Sequence, residues 1–206
     1  MAILNCKEFP AAAVPLNIPN LLTLLRILLI PFFFVVYIID AGWSNQLATF
    51  IFVVAAITDW LDGYLARLLN QYTTFGAFLD PVADKLIVAT ALVMLATDEK
   101  VLSLVYSVPL FAASVAIIIG REIVISALRE WMAELGKRAS VAVSYIGKVK
   151  TAMQLTAISL LIYQEPLLGI PIFELGEILL FIAAALTLYS MVVYLKAAWP
   201  VLTEQE

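Results

Sequence analysis

The sequence has 206 residues, of which 64% are hydrophobic and 14% are charged, and its formal net charge is −4. Soluble domains are about half apolar and about one quarter charged, so this composition excludes an ordinary water-soluble domain and predicts one domain embedded in a membrane. The chain has no histidine and one cysteine, Cys6. These counts exclude catalysis by imidazole, a thiolate metal site and a disulfide framework.

The first 16 residues carry Lys7, Glu8, Pro10 and Pro15 and lack a basic start that leads into an apolar core. They do not resemble a signal peptide, and we expect a short N-terminal tail at the membrane interface. Residues 17–199 are predicted to form the membrane domain, and residues 200–206 a C-terminal tail.

Six apolar segments follow the N-terminal tail, and each is long enough, or nearly so, to cross a hydrocarbon core about 30 Å thick. In chain order they cover about residues 21–39, 47–69, 82–97, 101–119, 146–163 and 178–199. The fourth is expected to continue as a charged amphipathic helix towards residue 135. The sequence therefore predicts an all-α integral membrane protein with six transmembrane helices.

Basic residues are distributed unevenly between the two predicted membrane faces. If the N-terminus is cytoplasmic, eleven of the twelve Lys and Arg residues lie on or near the cytoplasmic face, and only Lys100 lies opposite. Because Lys and Arg are enriched on the cytoplasmic side of membrane proteins, we expect both termini to be cytoplasmic.

Four aspartates interrupt the apolar pattern. Acidic and small residues recur at helical spacing in two segments: Asp59, Asp62, Gly63 and Ala66 in the first, and Gly76, Asp80 and Asp84 in the second. Each set lies on one face of a helix. A turn over residues 70–75 would make the helices antiparallel neighbours, with Pro81 in the first turn of the second helix or at a kink within it. We expect the acidic faces to meet just below the cytoplasmic head groups.

Carboxylates gathered at this depth need protons or counter-ions. At about 5 Å separation and an effective dielectric constant of about 20, two of them repel by about 3 kcal/mol. Oxygen donors without imidazole or thiolate favour a hard cation, Mg²⁺ or Mn²⁺. Aspartates from two facing helices suit two ions, an arrangement that serves phosphoryl chemistry. The predicted metal ligands are Asp59, Asp62, Asp80 and Asp84.

Buried acids also occur at helix contacts and in ion transporters. A transport site is expected near the midplane with access from both sides, whereas the polar residues here lie towards one side. A divalent-cation transporter is therefore the less favoured interpretation.

Residues beside the aspartates favour a phosphorylated ligand. Gly63 and Ala66 have small side chains, so a nucleotide or a diphosphate can approach the helix backbone. The guanidinium group of Arg67 can donate two parallel hydrogen bonds to phosphate oxygens. Arg26, in the first predicted span, either closes the nucleotide end of this site or extends to the membrane interface.

Residues 59 to 84 match the pattern D-x2-D-G-x2-A-R-x8-G-x3-D-x3-D without departure. This pattern resembles the signature of the CDP-alcohol phosphatidyltransferases, which join a CDP-linked lipid to an alcohol. The resemblance implies a six-helix, usually dimeric fold with two divalent metals on the four aspartates, and Asp84 as the general base. The implied CDP-lipid site comprises Asp62, Gly63, Ala66, Arg67 and Gly76.

Three further segments, 17–26, 120–138 and 147–151, resemble members of this family that use sn-glycerol 3-phosphate as the acceptor. This resemblance implies CDP-diacylglycerol as the donor, CMP as a product, and a location in the inner membrane of a bacterium. No nucleic-acid partner is expected.

Cations far along the chain are expected at the same interface as the aspartates: Arg121, Arg129, Lys148 and Lys150. An acceptor that carries a phosphate requires such cations, whereas serine or choline does not. The cations therefore favour glycerol 3-phosphate as the acceptor, with serine or inositol phosphate as alternatives. Their other interpretation is that they set the topology or bind anionic head groups. Glu122 is expected to pair with a neighbouring cation.

Overall fold

The computed structural model describes residues 17–69, 73–134 and 145–203. Within these ranges the chain forms seven helices: α1 (Ile18–Ile38), α2 (Ser44–Leu69), α3 (Thr74–Thr97), α4 (Glu99–Leu104), α5 (Val108–Glu134), α6 (Tyr145–Tyr163) and α7 (Ile172–Thr203). Four of them, α1, α2, α5 and α7, contain segments long and apolar enough to cross a membrane. An all-α membrane protein is confirmed for the described ranges, whereas six spans and cytoplasmic termini stay predictions. The N-terminal tail, residues 1–16, lies outside these ranges.

Helix α3 begins earlier than predicted. Thr73 caps it, because its Oγ1 atom accepts a hydrogen bond from the Gly76 backbone N–H at 2.9 Å. Pro81 is therefore the eighth residue of a helix that starts at Thr74. Of its two predicted positions, the first turn of the helix is excluded, and the predicted start of this span at about residue 82 is wrong. Asp80 and Asp84 lie in this helix one turn apart.

The predicted fourth span is divided into two helices. The short α4 ends at Leu104, and α5 begins at Val108 with Pro109 in its first turn. Proline is tolerated in the first turn because the backbone N–H groups there have no partner within the helix. A continuous helix from residue 101 is therefore wrong, although α5 continues past residue 119 as predicted and carries Arg121 and Arg129.

Helix α7 begins at Ile172, directly after Pro171, and ends at Thr203. It thus starts earlier than the predicted residue 178 and includes the beginning of the predicted C-terminal tail. The loop before it contains Gly169, whose φ of 80° lies in the left-handed region that favours glycine.

Helix α1 packs against both α2 and α3, more extensively than these two helices pack against each other. The apolar core includes Phe52 of α2, Leu92 of α3 and Ile158 of α6. Large apolar side chains such as Leu28 and Phe50 are exposed on the outer faces. Such exposed apolar surface marks contact with lipid or with another protein.

Polar contacts connect the helices at the end of the bundle opposite the aspartate cluster. Tyr37 of α1 donates a hydrogen bond to Asp98 Oδ2 at 2.8 Å. At the surface, Lys100 Nζ lies 2.6 Å from Asp40 Oδ1. This hydrogen bond holds the pKa of Asp40 below its usual value and raises the pKa of Lys100. Because both groups are exposed, the pair adds little stability.

Candidate active site

Arg26 of α1 lies between two of the predicted metal ligands on α2. Its Nη1 atom donates to Asp59 Oδ1 at 2.7 Å, and its Nη2 atom donates to Asp62 Oδ2. The Arg26 side chain is fully buried, with 0% exposed. A buried guanidinium needs carboxylate partners to compensate for its lost hydration. Of the two interpretations of Arg26, extension to the membrane interface is therefore excluded.

Thr23, one helical turn before Arg26, connects α1 to α3. Its Oγ1 atom lies 2.6 Å from Asp80 Oδ1 and 3.1 Å from the carbonyl oxygen of Pro19. A hydroxyl group has one proton to donate, and the shorter distance assigns it to the carboxylate. The acidic faces of α2 and α3 were expected to meet. Side chains of α1 join the two faces, because Thr23 contacts Asp80 while Arg26 contacts Asp59 and Asp62.

The two glycines of the site serve different neighbours. A Cβ atom at Gly63 would meet nothing within 4 Å, so open space lies beside α2 at this position. A Cβ atom at Gly76 would overlap the side-chain oxygen of Asn20 and lie 3.0 Å from Thr73 Oγ1. Gly63 therefore leaves room for a ligand, whereas Gly76 makes room for α1. A role for Gly76 in the CDP-lipid site stays a prediction.

Asp84 lines a cavity of about 210 Å³ between α3, α5, α6 and α7. Its lining includes Asp84, Arg121, Arg129, Lys150, Gln154 and Tyr194. The structure thus brings the predicted base together with three of the four cations predicted for the acceptor. The side chain of the fourth, Lys148, lies outside the described residues, as do the side chains of Ala66 and Arg67.

Glu122 fixes two of these cations. Arg121 Nη1 and Lys150 Nζ each donate to Glu122 Oε1 at 2.9 Å. Lys150 is only 3% exposed, so its ammonium group depends on this carboxylate for compensation. The prediction that Glu122 pairs with neighbouring cations is confirmed.

Tyr194 of α7 contacts both arginines of the cavity. The guanidinium carbons of Arg121 and Arg129 lie 5.7 and 5.3 Å from the centre of its ring, within the range of cation–π contacts. Arg129 Nη2 also donates to the Tyr194 hydroxyl at 3.0 Å. Tyr194 and Gln154 were not among the predicted site residues. For Gln154 the available signal was its position four residues after Lys150, which places both side chains on one face of a helix.

The aspartate cluster fits a hard divalent cation in its donor chemistry. Asp59, Asp62 and Asp80 come from two helices, and their contacts with α1 involve one oxygen of each carboxylate. Carboxylate oxygens are the ligands that Mg²⁺ and Mn²⁺ prefer. Among the described residues, however, no group of three or more acidic or thiol side chains is arranged so that it could hold an ion. Shared coordination by the four aspartates therefore stays a prediction.

Comparison with known proteins identifies the class to which this fold and site belong. The sequence model of the family described as CDP-alcohol phosphatidyltransferase matches residues 16–189, and the chain belongs to that family. The resemblance found in the sequence is thereby confirmed. Use of a divalent metal is general in this family.

Individual relatives match nearly the whole chain. A protein of Escherichia coli (strain K12) and one of Shigella flexneri serotype 5b (strain 8401) are each 53% identical to it over 189 residues, covering 92% of this chain and 98% of the relative. A protein of Salmonella typhimurium (strain LT2) is 54% identical over 182 residues, covering 88% and 94%. All three are named CDP-diacylglycerol–glycerol-3-phosphate 3-phosphatidyltransferase.

Proposed function

We propose that this chain transfers the phosphatidyl group of CDP-diacylglycerol to sn-glycerol 3-phosphate and releases CMP. The observation that carries the proposal is the cavity in which Asp84 faces Arg121, Arg129 and Lys150. A carboxylate can accept a proton from a hydroxyl group, and the three cations can bind a phosphate. The names of the relatives support the same donor and acceptor.

The acceptor is held at both of its ends in this proposal. Arg121, Arg129, Lys148 and Lys150 bind the phosphate of glycerol 3-phosphate, and its free primary hydroxyl lies against Asp84. Glu122 keeps Arg121 and Lys150 in place through its two hydrogen bonds. Holding the phosphate orients the hydroxyl, which lowers the entropic cost of the reaction.

Asp84 then removes the proton of the primary hydroxyl. The hydroxyl oxygen forms a bond to the phosphorus that carries the diacylglycerol, and the bond from that phosphorus to the oxygen shared with CMP breaks. Divalent ions on Asp59, Asp62, Asp80 and Asp84, which we propose to be two Mg²⁺ or Mn²⁺ ions, would stabilise negative charge on the diphosphate.

The donor is placed beside α2. We propose that Asp62, Gly63, Ala66, Arg67 and Gly76 form the CDP-lipid site. The open space next to Gly63 supports this placement. The lipid chains would extend along the exposed apolar faces of the helices.

The proposed setting is the inner membrane of a bacterium. The chain would cross it six times as a homodimer, with residues 17–199 as the membrane domain, both termini in the cytoplasm and the cavity open to the cytoplasm. The positive-inside distribution of Lys and Arg supports this orientation. Labelling of cysteines introduced at each terminus, from either side of sealed vesicles, tests it.

An assay of CMP release from CDP-diacylglycerol tests the proposed reaction. The purified chain is given Mg²⁺ and glycerol 3-phosphate, serine or inositol phosphate in turn. Of the three acceptors, we expect only glycerol 3-phosphate to support rapid CMP release. If another alcohol supports it instead, the proposed acceptor is wrong. Metal flux into proteoliposomes without nucleotide turnover would support a transporter and contradict the proposal.

Replacement of Asp84 tests the general base. Since proton transfer of this kind contributes about 10²–10⁴-fold, Asp84→Asn is expected to reduce CMP release by about that factor while binding of the CDP-lipid changes little. Asp40→Asn, at the opposite end of the bundle, is the control and should keep full activity. Near-normal turnover in Asp84→Asn would remove Asp84 from the mechanism.

A further inference from the structure

Gln154 of α6 is a polar side chain of the cavity that the proposed mechanism does not use. It lines the same cavity as Asp84 and Lys150 and is only 5% exposed. Its Oε1 atom is buried and has no hydrogen-bond partner among the described residues. Buried side-chain oxygens are nearly always paired in folded proteins, so a ligand of this cavity is the natural partner of this amide.

Neighbouring hydroxyl groups do not satisfy Gln154. Ser190 lines the cavity but donates its proton to the carbonyl oxygen of Thr187 at 2.9 Å. Thr151 lines it too and donates to the carbonyl oxygen of Gly147 at 3.0 Å. Each hydroxyl has one proton, so neither has a second one for the amide oxygen.

The chemistry of the amide oxygen restricts the ligand group that it can bind. A carbonyl oxygen only accepts hydrogen bonds. A phosphate dianion also only accepts, so it cannot pair with this atom and belongs to the arginines and Lys150. The partner must carry an O–H or N–H group.

We propose that Gln154 determines acceptor specificity by accepting a hydrogen bond from the secondary hydroxyl of the acceptor. The inference rests on the proposed function, in which the cations hold the phosphate and Asp84 holds the primary hydroxyl. The secondary hydroxyl is then the remaining donor of glycerol 3-phosphate. The site thereby selects a phosphorylated diol over a phosphorylated alcohol with a single hydroxyl group.

A pair of acceptors that differ in one hydroxyl group tests the proposal. The values of kcat/KM for CMP release are measured with sn-glycerol 3-phosphate and with 3-hydroxypropyl phosphate, which lacks the secondary hydroxyl. Wild-type enzyme is expected to prefer glycerol 3-phosphate by at least about tenfold, because a site that pairs with a hydroxyl rejects an analogue without it. In Gln154→Met the preference should fall to within about threefold, mainly through loss of activity with glycerol 3-phosphate.

The ratio of the two kcat/KM values does not depend on the fraction of enzyme that is folded. It therefore remains informative if Gln154→Met or the second variant, Gln154→Asn, is less stable. Gln46→Met is the matched control, because Gln46 Oε1 is also buried without a partner but lies outside this cavity. This control should keep the wild-type ratio.

Two results would overturn the proposal. One is an unchanged ratio of the two kcat/KM values in Gln154→Met and Gln154→Asn; an equal loss with both acceptors is such a case and would assign Gln154 to a part of the acceptors that they share or to folding. The other is a wild-type enzyme that turns over both acceptors equally well. If wild-type enzyme instead fails with glycerol 3-phosphate but accepts another alcohol, the proposed function fails, and the inference fails with it.

Discussion

Replacement of Thr23 by valine removes the hydroxyl that α1 donates to Asp80 and keeps a β-branched side chain of similar shape. Thr23 is fully buried, and its Oγ1 atom lies 2.6 Å from the Asp80 carboxylate. If Asp80 binds a divalent ion, this hydrogen bond fixes the direction in which the carboxylate points. We therefore expect Thr23→Val to weaken metal binding without unfolding the bundle.

The size of the effect follows from the type of hydrogen bond. Hydrogen bonds to charged groups contribute about 1.5–3 kcal/mol, and about 1.4 kcal/mol corresponds to a factor of ten in affinity. The expected loss is therefore about tenfold to a hundredfold. Replacement of residues that orient metal ligands typically costs about 10–100-fold in affinity or activity, which is the same range.

Mn²⁺ binding to the detergent-purified chain measures this loss directly, with free Mn²⁺ followed by electron paramagnetic resonance and no substrate present. Thr187→Val is the matched control, since Thr187 is equally buried but donates only to the backbone carbonyl of Ala183. An affinity within about threefold of wild type in Thr23→Val would refute the orienting role. Equal losses in Thr23→Val and Thr187→Val would point to general packing.

Three further substitutions test the contacts of α1 with the carboxylate helices and the open space beside Gly63. Arg26→Met leaves Asp59 and Asp62 without the guanidinium that pairs with them. Loss of one partner of a buried ion pair costs about 3–5 kcal/mol. The melting temperature in detergent should therefore fall far more than in Lys100→Met, which removes an exposed ion pair. A fall no larger than in that exposed control would contradict the importance of the buried pair. Gly76→Ala should lower the melting temperature, because its methyl group overlaps Asn20. Gly63→Ala should instead keep the melting temperature and raise KM for CDP-diacylglycerol. A lower melting temperature in Gly63→Ala, together with a higher KM in Gly76→Ala, would contradict these assignments.

The acidic faces were predictable because helical spacing is a local property of the sequence. Asp59 and Asp62 are three residues apart in one helix, and no knowledge of distant contacts was needed to place them together. The start of α3 was missed because Pro81 is a strong boundary signal. The hydrogen bond from Gly76 to Thr73 places the start at Thr74, eight residues before the predicted residue 82.

The partners of Arg26 were not predictable in the same way. Its carboxylates lie 33 and 36 residues away along the chain, and only the packing of α1 against α2 brings them together. The predicted order of the membrane spans did place the cations of α5 and α6 at the same membrane depth as the aspartates. Gln154 lies four residues after Lys150 in α6, so helical spacing places both on one face, but the sequence does not indicate that its side-chain oxygen is buried without a partner.

The buried contact between Arg26 and the aspartates of α2 bears on how the chain enters the bilayer. Helix α1 emerges from the ribosome before α2. An aspartate in an inserting helix is costly, by up to about 2.5–3.5 kcal/mol at the helix centre. When α2 arrives, the guanidinium that compensates both of its carboxylates is already present in α1. We therefore expect the order of the helices along the chain to lower the cost of inserting α2.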